Sequence, residues 1–186
     1  MTGNPTTEGC EPTMSGFTIV NGVAEISDPA IYANWLDNDE FKAAVAADPS
    51  PERTAIKRLL IEFEADLSRM VRDKVVQEQV VGVMTTYIAE DYIQRDPNAF
   101  GHGRDNLIEQ FRLVPIVGST PPPVVSVILD GEVACLMMRE LAPDPVVPGA
   151  TYEWNILTVF RVHGGKIAEH WSTFRKVKPG QNPMGE

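Results

Sequence analysis

The chain has 186 residues, with 16 Lys+Arg against 26 Asp+Glu and a formal net charge of -10. That acidity argues against nucleic acid and anionic membranes as partners, because binding phosphates takes a basic face. Composition (43% hydrophobic, 23% charged) is that of one globular domain with a continuous core. No apolar run approaches the ~18 residues of a membrane span. The first twenty residues lack a charged segment followed by an apolar one, so the expected location is cytoplasmic. Two cysteines, Cys10 and Cys135, are too few for a disulfide framework, and Cys135 lies in an apolar run that reads as buried.

Residues 1–16 are polar and rich in turn formers, and read as a flexible tail. Phe17 to Ile26 alternates around Asn21-Gly22, a pair suited to a type I′ hairpin turn. Asp28-Pro29 reads as a helix cap followed by an N1 proline, opening a short helix with Ile31, Trp35 and Leu36; another follows around Phe41 and Val45. Ser50-Pro51 repeats the cap signal. Beyond it Ile56, Leu59, Leu60, Phe63, Leu67, Met70 and Val71 recur at the spacing of one buried helix face. Arg53, Lys57, Glu62, Glu64 and Asp66 are assigned to the opposite, solvated face. Further helices are predicted over Glu78–Tyr87 and Arg104–Leu113.

After Pro121-Pro122-Pro123 the period changes to that of strands. Strands are predicted over Val124–Leu129, Glu132–Leu141, Thr151–Val162 and Lys166–Val177, with turns at Asp130-Gly131 and His163-Gly164-Gly165. Helices followed by a run of strands predict an α+β fold with helices packed on one face of a curved antiparallel sheet. The domain division is residues 1–50 as an N-terminal extension, 51–178 as the main domain and 179–186 as a flexible tail.

His102, His163 and His170 show no HxH or HExxH spacing, and there is no CxxC, so no dedicated metal site is expected. Neither a GxxxxGK[ST] loop nor a strand-borne GxGxxG is present, and no cofactor is predicted. Gly101-His102-Gly103-Arg104 is a lone Gly-rich loop, read as the entry to a helix.

Two polar stretches beside apolar strands remain. Tyr92-Ile93-Gln94-Arg95-Asp96-Pro97 precedes Gly103 and a helix with Ile108 and Phe111; much later Phe160-Arg161-Val162 precedes Gly164-Gly165-Lys166-Ile167-Ala168-Glu169-His170-Trp171. In this order they resemble the YIQHNP-type and FRVxxGKIxEHWD-type segments of the SnoaL-like branch of the NTF2-like superfamily, over roughly residues 51–178. The resemblance implies a cone-shaped α+β barrel, a curved sheet wrapped by three helices around a deep apolar pocket. It also implies cofactor-free acid–base chemistry and a homo-oligomer, a dimer or trimer. The chain departs from the cyclase pattern at three places: Thr158 and Ser172 stand where cyclases carry catalytic His and Asp, and Arg95 replaces the His of YIQHNP. Asp96 stands at a position similar to that of the catalytic Asp base in the ketosteroid isomerase branch.

A carboxylate at the mouth of an apolar pocket is partly desolvated, which strengthens it as a base. Asp96 is therefore the predicted catalytic base, with Tyr92 or His170 as proton donor; the competing role for Asp96 is to accept backbone N–H groups in an Asp-Pro turn. Side-chain alternation places Gln94 with Asp96, and Tyr152 and Trp154 with Thr158, on the pocket side; Ser172 brings His170 and Phe174. Arg95 points away if its segment is extended and could hold an oxyanion if it kinks. Gln94, Arg95, Tyr152, Trp154, Thr158 and Ser172 are the predicted substrate contacts, and the expected ligand is a small aromatic or polycyclic molecule. Within SnoaL-like proteins, the favoured match is to lyases that release formaldehyde from lignin-derived diarylpropane diols to leave a stilbene. The alternatives are a polyketide or steroid-like cyclase or isomerase, and a non-catalytic ligand-binding or assembly module.

Overall fold

The computed structural model describes residues 16–99, 101–113, 122–173 and 176–178. Cys10 and Phe174, and most of the two predicted tails, lie outside them. The hairpin β1 (Phe17–Val20) and β2 (Val23–Ile26) pairs in register Val20↔Val23, with Asn21 at φ 51° and Gly22 at φ 80°. Both turn residues thus take the left-handed conformation that a type I′ turn requires and that Asn and Gly tolerate. Asp28 accepts the Ala30 N–H at 2.9 Å and opens α1 (Ala30–Asn34), which tightens into a 3-10 turn over Trp35–Asp37. Asn38 caps α2 (Asp39–Ala46) through Phe41 N–H at 3.0 Å.

These short elements are part of the core. Phe17, Ile31, Trp35, Leu36 and Phe41 are all buried in one cluster with residues of α3 and β4. At about 1.5–3 kcal/mol per large side chain buried, this burial stabilises the segment against the rest of the fold. Polar bonds anchor it too: Ser126 Oγ donates to Gly22 O at 2.8 Å, and Arg139 pairs with Glu25 at 3.4 Å.

Ser50 Oγ accepts the Arg53 N–H and Pro51 occupies N1, starting the long helix α3 (Pro51–Arg72) as the sequence predicts. The chain continues through α4 (Val76–Tyr87) directly into strand β3 (Ile88–Gln94), then α5 (Arg104–Leu113). Strands β4 (Val124–Asp130), β5 (Val133–Pro143), β6 (Thr151–His163) and β7 (Lys166–Ser172) follow, giving a five-stranded sheet in the order β3-β7-β6-β5-β4.

The α+β class is as expected, with one difference. The strands β4 to β7 pair antiparallel, but β3 joins β7 in parallel. Arriving from α4 rather than from a hairpin, β3 has no topological need to run against its neighbour. Its register is irregular: Ile88↔Ile167 and Ile93↔Glu169 leave five steps on β3 against two on β7. No helix among the described residues is long and apolar enough to cross a membrane.

Candidate active site

A cavity of about 240 Å³ lies between α3, α5 and strands β3, β5, β6 and β7. Phe63, Leu67, Leu107, Phe111, Met138 and Ile156 make much of its wall apolar. Into this wall project Glu64, Tyr92, Gln94, Asp96, Thr158, His170 and Ser172. Six of these seven are predicted site residues, and the register explains their convergence. Gln94 is the parallel partner of His170, Thr158 is the antiparallel partner of Ser172, and Phe160 is that of His170. Partners on neighbouring strands share a face, so three strands deliver their polar groups to one place.

A chain of hydrogen bonds organises them. Gln94 Oε1 accepts the Asp96 N–H at 3.0 Å, and a backbone N–H can only donate, which identifies that atom as the amide oxygen. The same oxygen lies 2.8 Å from His170 Nδ1, which must therefore carry a proton and donate. His170 Nε2, 2.8 Å from Thr158 Oγ1, is left to accept from that hydroxyl when the ring is neutral. Burial pushes the imidazole down to about 4 against the opposing charge of Asp96, so it is neutral at pH 7. The ring stacks on Phe160 at 5.0 Å, which fixes its plane. The Gln94 side chain also lies beside the phenol of Tyr92 and interacts with it. Burial above all, then the charge of Asp96, raises Tyr92 well beyond the usual tyrosine range; Gln94 opposes the rise and Glu64 adds slightly to it.

Asp96 makes the turn bond considered for it and also reaches the cavity wall. Its Oδ1 accepts the Asn98 N–H at 2.7 Å, an Asx-turn bond, while the carboxylate still lines the cavity. The turn orients the group and leaves Oδ2 without a hydrogen bond among the described residues. Among the described residues the buried Ser172 Oγ has no hydrogen-bond partner, so the wall holds a hydroxyl whose hydrogen bond is still to be made.

Three predicted substrate contacts lie elsewhere. Arg95 turns away from the cavity, pairing through Nε with Glu169 at 2.7 Å while Arg161 holds the other carboxylate oxygen at 3.1 Å. The segment is extended there, so parity sends Arg95 to the opposite face. Tyr152 and Trp154 share parity with Thr158 but sit further along β6, opposite Ala142 and Glu140, outside the cavity wall. Strand β6 outruns the cavity, and Tyr152 is 43% exposed.

One group departs from its sequence assignment. Glu64, placed above on the solvated face of α3, lines the cavity instead. Leu60, Phe63 and Leu67 lie four and one positions before it and three after it, so Glu64 falls within the apolar stripe. That spacing was the available signal; its charge outweighed it. Among the described residues Glu64 has no hydrogen bond or ion pair, and burial pushes its carboxyl up to about 7. The residue keeps partial exposure.

The Gly-rich loop is structural. Gly103 N–H donates to Tyr92 O at 2.6 Å and His102 Nδ1 accepts the Gln94 N–H at 3.2 Å, tying the loop to the strand that carries the site. Among the described residues no three His, Cys, Asp or Glu side chains are arranged to hold a metal.

No family model matches the chain, and no curated protein matches it. Solved structures with a similar course include TsrD from Streptomyces laurentii, at 17% identity and TM-score 0.39 over 66% of this chain and 89% of that one. A proposed SnoaL-like polyketide cyclase from Jannaschia sp. CCS1 aligns at 18% identity and TM-score 0.38, over 67% of this chain and 88% of its own. An NTF2-like protein of unknown function from Burkholderia pseudomallei aligns at 18% identity and TM-score 0.36, over 58% and 87%. Likeness at this level transfers no residue role.

Proposed function

We propose that this protein is a cofactor-independent enzyme that moves protons on a small hydroxylated aromatic substrate. The observation that supports this reading is the oriented Asp96 carboxylate in a largely apolar cavity beside the phenol of Tyr92 and the Gln94–His170–Thr158 chain. Proton transfer at carbon or oxygen needs a base, a donor and exclusion of water, and this wall carries groups suited to each.

The favoured reaction is C–C cleavage of a lignin-derived diarylpropane diol. Asp96 takes the proton of the terminal hydroxyl and the C–C bond breaks, releasing formaldehyde. Its electrons form the alkene of the stilbene as the benzylic hydroxyl leaves, protonated, as water. Cyclisation or isomerisation of a smaller ketone is a second reading, favoured by the cavity volume of 240 Å³, which is below the ~300–1,000 Å³ common for ligand pockets.

Purified protein incubated with aromatic diols and diketones, without added metal or nucleotide, should release formaldehyde or develop a new conjugated chromophore. Asp96→Asn should lower turnover by about 10²–10⁴-fold with ligand affinity retained. Unchanged turnover in that variant would overturn the role of Asp96. Silence across the substrates would favour a ligand-binding module.

A further inference from the structure

We propose that Glu64 is the acid of this site, a neutral carboxyl on α3 that donates a hydrogen bond to a substrate oxygen and gives up its proton there. This rests on the acid–base reading above, and it replaces Tyr92 and His170 as the proton donor. The placement is the first reason. Glu64 enters the cavity from a helix, whereas Asp96 enters from just past the end of β3, so the two carboxyls belong to different walls. A substrate between them meets a base on one side and an acid on the other.

The second reason is elimination among the titratable groups that face Glu64. From β3 this is Tyr92, from the turn after it Asp96, and from β7 His170; α5, β5 and β6 contribute none to the wall, and no described Lys or Arg lines it. Tyr92, raised above the usual phenol range, holds its proton too tightly to be an effective donor near pH 7. His170 is neutral, its Nδ1–H is committed to Gln94 and its Nε2 is an acceptor. Asp96 is needed ionised as the base. A neutral Glu64 is the remaining group that is both protonated and acidic enough to transfer, because burial in a wall without a described Lys or Arg disfavours its charged form.

The third reason is cost. A carboxyl placed in an apolar helix stripe with no partner is destabilising, whereas an alanine or leucine there would not be. In the diol cleavage the Glu64 O–H bond breaks as its proton goes to the departing benzylic hydroxyl. The C–O bond breaks with it, water leaves, and Asp96 holds the proton taken from the terminal hydroxyl. Solvent returns that proton from Asp96 to Glu64, so diol becomes stilbene, formaldehyde and water with no net charge.

The test has two arms on the full chain. In the first, carboxyl-¹³C glutamate labelling follows each glutamate through pH 4–9 by NMR, with Glu64 identified as the signal missing from Glu64→Gln. It should titrate well above the other glutamates; titration among them would overturn the proposal even if the enzyme is active. In the second, a diarylpropane diol is compared with its benzylic acetate, whose leaving group needs no proton. Glu64→Gln should be slowed at least 100-fold on the diol, lose the alkaline limb of the wild-type pH profile, and approach wild-type rate on the acetate. Asp96→Asn should be slow on both. Equal defects of Glu64→Gln on the two substrates, or wild-type turnover of the diol, would overturn the acid role. A wild-type protein inactive on both would overturn the acid–base reading itself.

Discussion

Replacing Glu64 by Gln removes an ionisable group from the cavity and should stabilise the protein in a pH-dependent way. Burial moves the carboxyl from 4.5 to about 7. At about 1.36 kcal/mol per pKa unit, ionising it in the folded state costs at most about 3 kcal/mol. Water reaching the cavity screens part of this, so about 2 kcal/mol is the working figure. The folded pKa is raised, so below pH 4.5 both states hold the proton and there is no penalty. Between 4.5 and 7 the unfolded chain releases it first and stability falls; above 7 the penalty is complete. Urea unfolding followed by tryptophan fluorescence, with Trp35 buried as reporter, should therefore show Glu64→Gln close to wild type at pH 4.5 and about 2 kcal/mol more stable at pH 8. His170 works in the other direction. Its stabilising contribution is present above 6.5 and lost as pH falls towards 4, but it is common to both proteins and cancels in the difference. A gap that does not change with pH, or a variant less stable than wild type at pH 8, would refute burial of an unpaired carboxyl.

Three other variants probe the surroundings. Thr158→Val removes the hydroxyl that supports neutral His170, so the imidazole pKa should rise from about 4 by roughly one unit in an NMR titration; no change would place the Thr158 proton elsewhere. Arg95→Ala should leave turnover of any substrate intact while costing about 1 kcal/mol or less in urea unfolding, because Arg95 is half-exposed and Arg161 still holds Glu169; a large loss of turnover would return Arg95 to the site. Ser50→Ala should cost about 1 kcal/mol, through loss of the α3 N-cap, without moving kcat.

Much of the site was legible because strands alternate. Once Thr158 was assigned to the cavity, parity on β6 and β7 brought Ser172 and His170 with it, and parity on β3 grouped Tyr92, Gln94 and Asp96. Parity carries no length scale, however, and it also enlisted Tyr152 and Trp154, which lie past the end of the cavity on a strand of thirteen residues. Glu64 failed for a different reason. Charged residues on helices are mostly solvated, so its charge outweighed a spacing that puts it in the apolar stripe, and the neighbouring walls show that this stripe faces a cavity there.

Local chemistry determined the elements: the Asn21-Gly22 turn, the Ser50-Pro51 start of α3, and the alternation that makes β4 to β7, all governed by contacts within a few residues of the chain. Tertiary structure decided what depends on distant neighbours. The parallel pairing of β3 with β7 sets Gln94 against His170, 76 positions away in the chain, and so selects the tautomer of the imidazole. Packing of α3 over that sheet takes Glu64 partly out of water, which is what turns an ordinary carboxylate of an acidic protein into a candidate acid.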